Sequence, residues 1–309
     1  MEKSALRIIF MGTPEFAVAS LKRLLEEGFS VSAVVTAPDK PAGRGMEMQQ
    51  SAVKTFALSK GLRVLQPTKL KDPEFINELR LINPSLQIVV AFRMLPEAVW
   101  NLPPLGTINV HASLLPQYRG AAPINWAIIN GEKQTGVTTF KLKHEIDTGD
   151  ILLSKSITIE EKDNAGSLHD KLKIAGAELL TETLERLCLE NLKETPQLDL
   201  PPENLHHAPK IHTETCQINW NGKAERIHDL IRGLAPYPAA FTELNGKKLK
   251  IFESSYSKID HEKPPGTMDT DGKTYLRFHS IDGYLDILEL QLEGKKRMKT
   301  EEFLRGFRP

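Results

Sequence analysis

The chain is poor in cysteine, with only Cys188 and Cys216 among 309 residues. That excludes a disulfide framework and an all-cysteine zinc site, and it suits a reducing compartment. An excess of one charge is also missing, because Lys plus Arg and Asp plus Glu each number 40. With no overall field to draw the protein onto nucleic acid or an anionic membrane, any such partner must be met by local clusters. No apolar run approaches the roughly 18 residues of a membrane span. The start, MEKSALRIIFMG, reads as a strand rather than a signal peptide. What remains is ordinary globular composition, 40% hydrophobic and 26% charged, long enough for two modest domains. The expectation is a cytoplasmic protein without a membrane segment.

A dinucleotide fingerprint is missing as well. Leu6 to Met11 is an apolar strand, but it ends in Gly12-Thr13-Pro14-Glu15-Phe16 rather than in the three glycines that let a pyrophosphate approach the backbone. This counts against a nicotinamide or flavin oxidoreductase. Gly12 serves a tight turn or a substrate-lining turn equally well.

The first 150 residues alternate β-branched apolar runs with segments of helical spacing, the rhythm of βαβ units. Strands are predicted over Val31 to Thr36, Arg63 to Gln66 and Leu86 to Phe92. Helices are predicted over Phe16 to Leu25, Ala52 to Ser59 and Pro73 to Leu81. The run LQIVVAF from Leu86 is nearly all apolar, as a central parallel strand covered on both faces must be. Between Ala37 and Gly45, two prolines and two glycines predict a long irregular loop. Gly106 to Leu115 begins as a strand and Ala121 to Ile129 has helical spacing, while Thr135 to Leu142 and Ile151 to Ile159 resemble a hairpin. Ser167 to Leu189 is the clearest helix, with Ser167 as its expected N-cap and Asp170 three residues on.

Residues 193–210 carry four prolines and no periodicity, which marks a linker between a first domain of residues 1–192 and a second of residues 211–309. The second has one expected helix, Ala224 to Gly233. It then has strand-like runs from Phe241, Lys248, Thr274 and Leu285, separated by Asn-Gly, Pro-Gly and Asp-Gly turns, a pattern that fits a small β-barrel.

The most informative segment is Asn109-Val110-His111-Ala112-Ser113-Leu114-Leu115-Pro116-Gln117-Tyr118-Arg119-Gly120. In a strand Asn109 and His111 share a face, so an amide donor lies beside an imidazole. Aimed at one carbonyl, the two would stabilise the oxyanion of a tetrahedral intermediate. By themselves they read more simply as two polar residues satisfied at a strand end. Asp147, in the loop Asp147-Thr148-Gly149-Asp150, would fix the tautomer of His111 and favour its charged form if the sheet brings it close. A hairpin loop uses the same residue types. Glu145 is a competing carboxylate that reads as a solvated loop acid. Lys40 and Arg44 lie on the Pro/Gly loop, where a cation meets phosphate or water. His206, His207, His212 and Cys216 match no tight metal-ligand spacing, so no metal is expected.

Taken together, five ordered segments are similar to the methionyl-tRNA formyltransferase family. They are MGTPEFA at 11–17, APDKPAGRG at 37–45, INVHASLLPQYRGAAPIN at 108–125, GVTTF at 136–140 and DTGDIL at 147–152. INW at 218–220, LAPYPAAF at 234–241 and PGT at 265–267 extend the resemblance over the rest of the chain. It implies an α/β fold, a Rossmann-like mostly parallel sheet followed by a small OB-like β-barrel, and formyl transfer from 10-formyltetrahydrofolate to initiator methionyl-tRNA without a metal.

The resemblance assigns Asn109, His111 and Asp147 as the catalytic residues. Ser113, Leu114, Leu115 and Pro116, with Val90, Phe92 and Leu95, are assigned to the folate. Arg44 and Lys40 are placed at the tRNA acceptor end, and Lys247, Lys248, Lys296 and Arg297 on its phosphate backbone. A monomer is expected. Sister enzymes that formylate an aminosugar nucleotide or glycinamide ribonucleotide are the nearest alternative, and a non-catalytic RNA-binding module is a more distant one. The chain departs from the family pattern at Arg93, in the stretch Lys141 to Ile146, and at Ala112.

Overall fold

The computed structural model describes residues 2–42, 47–197 and 205–307. Its elements run β1 (Ile8–Gly12), α1 (Glu15–Glu26), β2 (Val31–Val35), β3 (Lys40–Ala42), β4 (Glu47–Gln49), α2 (Ala52–Ser59), β5 (Val64–Leu65) and α3 (Pro73–Ile82). They continue through β6 (Leu86–Val90), α4 (Glu97–Trp100), β7 (Thr107–His111), β8 (Arg119–Gly120), α5 (Pro123–Ile129), β9 (Gln134–Lys141), β10 (Ile151–Thr158) and α6 (Ala165–Cys188). The remainder is β11 (His207–Ala208), α7 (Ala224–Leu234), β12 (Ala240–Leu244), β13 (Lys247–Lys258), β14 (Met268–Thr270), β15 (Leu276–His279), β16 (Gly283–Leu292), β17 (Met298–Lys299) and α8 (Thr300–Leu304).

Two compact units result. The first comprises residues 1–119, 136–157 and 170–206, and the second comprises residues 120–135, 158–169 and 207–309. The first is built on a seven-stranded sheet in the order β10-β9-β7-β6-β1-β2-β5. Its β1, β2, β5, β6 and β7 pair in parallel, while β9 joins β7 antiparallel. The apolar strand β6 is the middle strand of the seven and all five of its residues are buried. Successive parallel strands run outward from β1 on one side and from β6 on the other. The order therefore reverses between them, and the crevice at their carboxyl ends is where open α/β sheets take ligands.

Local chemistry explains the elements. In α1 the buried Phe16, Ala17, Ser20, Leu21 and Leu24 form one stripe. The Ser51 side chain caps α2 by accepting from the Lys54 amide, and Asp72 caps α3 with Pro73 in its first turn. Gly12 is a packing glycine: a Cβ there would stand 2.6 Å from the Ala17 Cβ and 3.1 Å from the Val90 carbonyl.

Three expectations are corrected. The Pro/Gly stretch is not irregular throughout, because β3 and β4 pair antiparallel, Lys40 opposite Gln49 and Pro41 opposite Met48. A two-stranded ribbon has free edges, so proline's missing N–H costs it little. Helix α6 starts two residues before Ser167, and its cap is Asn164. The Asn164 side chain accepts from the Ser167 amide at 2.9 Å, and the Ser167 hydroxyl accepts from the Asn164 amide at 3.0 Å, a reciprocal box. Asp170 instead pairs with Lys173 on the surface.

The second unit contains a six-stranded antiparallel sheet, β12-β13-β16-β15-β14 with β17 on β16. Its core gathers Ile227 and Ile231 of α7 with Leu249, Ile251, Phe278, Leu285, Ile287 and Leu290. Irregularities at Ile251/Glu253 and Glu253/Ser254 bend the twelve-residue β13 so that it can follow the curl. Asn245 and Gly246, both at positive φ, make the β12–β13 turn. Residues 120–135 and 158–169 precede the linker in sequence yet belong here. Asn125 donates to the Gly233 carbonyl, and Arg226 donates to that of Asn130. The buried Arg232, paired with Asp229 at 2.9 Å, donates to the Asp163 carbonyl at 3.0 Å.

Candidate active site

Strand β7 carries Asn109 and His111 on one face, at the carboxyl end of the parallel sheet. Its register sets Asn109 beside Val89 on one side and Phe140 on the other. His111 is buried, and its ring meets the Phe140 ring edge-on at 6.5 Å. The two ring nitrogens face different groups. Nε2 lies 2.9 Å from the Tyr118 carbonyl, which can only accept, so Nε2 carries hydrogen. Nδ1 faces the Asp147 carboxylate at 3.9 Å. That distance is too long for a hydrogen bond, which leaves Nδ1 room to meet a third group. Half-buried Asn109 makes no hydrogen bond through its side chain among the described residues, so both amide donors are available. Asn109, His111 and Asp147 are thus brought to one place.

The loop that presents Asp147 is tightly held. Asp147 has φ +54°, in the left-handed region, where Asp is among the better-tolerated residues. Two residues on, Gly149 lies against the Lys141 carbonyl so closely that a Cβ would stand 1.6 Å from the oxygen. The Lys141 amide donates to the Asp150 carbonyl at 3.0 Å, and Lys143 pairs with the Asp150 carboxylate at 2.8 Å. His144 and Glu145 are exposed.

The SLLP segment folds into a turn fixed by its own polar atoms. Ser113 is fully buried, and its hydroxyl donates to the Gln117 carbonyl at 2.6 Å. The Thr138 hydroxyl donates to the Ser113 carbonyl and accepts from the Leu115 amide. Leu115 is buried, while Leu114 and Pro116 are half-buried. Near Val90 the side chains of Val90 and Leu95 are in the core, and Phe92 is half-buried. What Val90 and Leu95 can offer a ligand is therefore backbone. Arg93 anchors this loop by donating to the Thr68 carbonyl at 3.0 Å and to that of Pro67. Burial holds its guanidinium below the usual value.

Sequence reading had placed residues 193–210 wholly in a linker. Gln197 instead reaches back to the site. Its Nε2 donates to the carbonyls of Asp147 at 2.9 Å and Gly149 at 2.8 Å. Its Oε1 accepts from Arg119 Nε at 3.0 Å and Nη2 at 2.6 Å. His206, also in that stretch, meets the Tyr118 hydroxyl through Nδ1 at 3.1 Å. No periodicity or motif in a single sequence signals either contact.

Among the residues assigned to tRNA, Arg44 lies outside the described residues and Lys40 is exposed on β3. Lys247 and Lys248 are exposed at the β12–β13 turn, with the Lys248 ammonium 4.3 Å from the Phe241 ring centroid. Lys248, Lys210, Lys250 and the exposed Tyr237 line a cavity of about 530 Å³ within the second unit. Lys296 is exposed, whereas Arg297 pairs with Glu289 and lies over the Phe252 ring.

A sheet-end crevice with an Asn-x-His strand and a facing Asp presents the kind of donor set that acyl transfer uses to stabilise an oxyanion. The chain belongs to the formyl transferase family: residues 6–184 match the formyl transferase model, and residues 210–308 match that of the formyl transferase C-terminal domain. Within it, the chain is similar to methionyl-tRNA formyltransferases. It is 53% identical to that of Bacteroides thetaiotaomicron over 100% of this chain and 98% of the relative. It is 49% identical to that of Flavobacterium johnsoniae over 99% and 97%.

The solved structures share the fold at lower identity. The methionyl-tRNA formyltransferase of Clostridium thermocellum matches with a TM-score of 0.55 at 18% identity, over 81% of this chain and 93% of that one. The sugar 3N-formyl transferase WlaRD matches at 0.67 and 20%, over 94% and 99%. HypX from Aquifex aeolicus in complex with tetrahydrofolic acid matches at 0.66 and 19%, and this chain, 97% covered, spans about half (47%) of it.

Proposed function

We propose that the chain transfers the formyl group of 10-formyltetrahydrofolate to the α-amino group of methionine on initiator tRNA. The observation that carries the chemistry is His111, held at Nε2 by the Tyr118 carbonyl and flanked at Nδ1 by Asp147, two residues from an Asn109 amide with both donors available. Full-length relatives bearing the methionyl-tRNA formyltransferase name support the acceptor.

In this mechanism the amine nitrogen attacks the formyl carbon. The carbonyl electrons move onto oxygen, where Asn109 Nδ2 and His111 Nδ1 donate hydrogen bonds to the developing charge. Nδ1 donates where the ring carries hydrogen on both nitrogens, and the Asp147 carboxylate then faces the positive ring. The carbon–nitrogen bond to the folate then breaks. Its N10 takes one proton as the amine gives one up, with Asp147 the nearest base to relay it. Ser113 to Pro116, with the backbone from Val90 to Leu95, forms the folate wall. Lys40 and Arg44 meet the acceptor end, and the Lys247, Lys248 and Lys296 clusters meet phosphate. The protein acts as a monomer in the cytoplasm.

Formyl transfer is measured in parallel on methionyl initiator tRNA, glycinamide ribonucleotide and an aminosugar nucleotide. Product from the tRNA alone is expected. His111→Ala and Asn109→Ala should each lose about 10²–10³ in kcat while still binding folate. Wild-type rates in both variants would remove the oxyanion mechanism, and transfer only to a small amine would replace the acceptor.

A further inference from the structure

We propose that Gln197 is a positioning residue for this reaction, a clamp that sets Asp147 against His111. The inference rests on the functional reading above. The segment bearing Gln197 is fastened to the end of β10, where Thr195 and Ile151 exchange backbone hydrogen bonds of 2.8 and 2.9 Å. From there the side-chain amide spends its whole capacity. Both Nε2 hydrogens go to backbone carbonyls of the Asp147 loop, and both Oε1 lone pairs go to Arg119.

Each end of this bridge governs one side of the imidazole. Arg119 follows Tyr118, whose carbonyl holds His111 Nε2. The Asp147 carbonyl belongs to the residue whose carboxylate faces Nδ1. Gln197 therefore couples the two backbone segments between which His111 is held. Asp147 sits at φ +54°, a sparsely populated conformation, and the Gln197 bonds to the carbonyls of Asp147 and Gly149 help to hold it. The Arg119 cation polarises the amide and strengthens its two N–H donors.

The chemistry is specific to an amide. Glutamate at 197 would keep the size and the bond to Arg119, but it would have no hydrogen to donate and would turn lone pairs toward two carbonyl oxygens. Gln197→Glu thus releases the loop while leaving the other half of the bridge. Misplacing a catalytic group by about 1 Å costs on the order of 10²-fold. The expected result is a kcat lower by about ten- to a hundredfold, with KM for folate donor and tRNA within about twofold.

Two measurements separate this from a merely structural bond. In an Asp147→Asn background, where the carboxylate is already gone, Gln197→Glu should lower kcat by less than about twofold, whereas a general loosening would cost the same in both backgrounds. The ring resonances of His111 in labelled full-length protein should also move in Gln197→Glu toward those of Asp147→Asn. Wild-type kcat, equal penalties in the two backgrounds, or unchanged His111 resonances would overturn the assignment. A wild-type protein inert toward every acceptor would overturn the functional reading instead, and the ring resonances would still decide the clamp.

Discussion

Gly149→Ala tests how the catalytic loop is held. A Cβ at this position would lie 1.6 Å from the Lys141 carbonyl oxygen, and contacts under 3.0 Å are essentially never seen, so loop and strand must separate by about 1.4 Å. The obstruction is backbone, which cannot swing aside as the end of a long side chain can. The separation pulls on the hydrogen bond from the Lys141 amide to the Asp150 carbonyl and on the Gln197 bond to the Gly149 carbonyl. Losing one or both, with their partners left underbonded, costs about 1–3 kcal/mol. For a chain of this size that lowers Tm by roughly 2–4 °C per kcal/mol. The catalytic effect should be larger, because Asp147 is two residues away and a displacement above 1 Å costs on the order of 10²-fold in kcat. Steady-state formyl transfer and differential scanning calorimetry on the same preparation give both numbers. A variant with wild-type kcat would show that the tight approach of Gly149 to β9 does not position the carboxylate.

Other perturbations read other parts of the molecule. His279 is buried, with His261, Tyr284, Asp269 and Lys263 around it; burial first, then the charges of His261 and Lys263, hold its imidazole below the ordinary value against the pull of Asp269. The unfolded chain then binds more protons than the folded one below about pH 6.5, so stability should fall as pH drops below that value, and His279→Phe should flatten the fall. Melting curves between pH 7 and 5 that do not differ from each other would contradict this. Arg232→Ala leaves the buried Asp229 with only the longer Arg226 contact at 3.9 Å and removes the donor to the Asp163 carbonyl; denaturant titration should show a loss of about 3 kcal/mol in the second unit, the low end for a broken buried pair. Replacing Lys248 and Lys250 together by Ala should raise KM for tRNA and lessen its salt dependence without changing folate binding, and an unchanged KM at every salt concentration would remove these lysines from the tRNA surface.

What was legible in the sequence followed the strength of the local signal. β6 announced itself as a central strand because its nearly all-apolar run is short and rich in β-branched residues, which favours a strand covered on both faces over a buried helix. Asn109 and His111 shared a face because strand periodicity requires it. The β3–β4 ribbon was missed because a strand containing Pro41 reads as a breaker unless its edges are known to be free. β13 extends six residues beyond the strand run expected from Lys248 to Phe252, through ESSYSK, a mostly polar stretch in which only Ser254 is buried, so it offers no apolar alternation to read. Gln197 was invisible for a different reason. Its partners are backbone carbonyls 48 and 50 residues earlier, and backbone leaves no imprint on composition or spacing.

The interleaving of the two units has a consequence for synthesis on the ribosome. Helix α5 ends at Ile129, and the helix α7 that Asn125 engages begins only at Ala224, 95 residues later. At about 5–20 residues per second, α5 waits on the order of 5–20 s with its future contact face uncovered. The segment containing Asp163 waits for Arg232 in the same way, though more briefly. The sheet of the first unit can be complete before either finds its partner. The nascent chain therefore carries two unfinished pieces of its second unit on an otherwise folded first one, and those pieces are where a chaperone would find it.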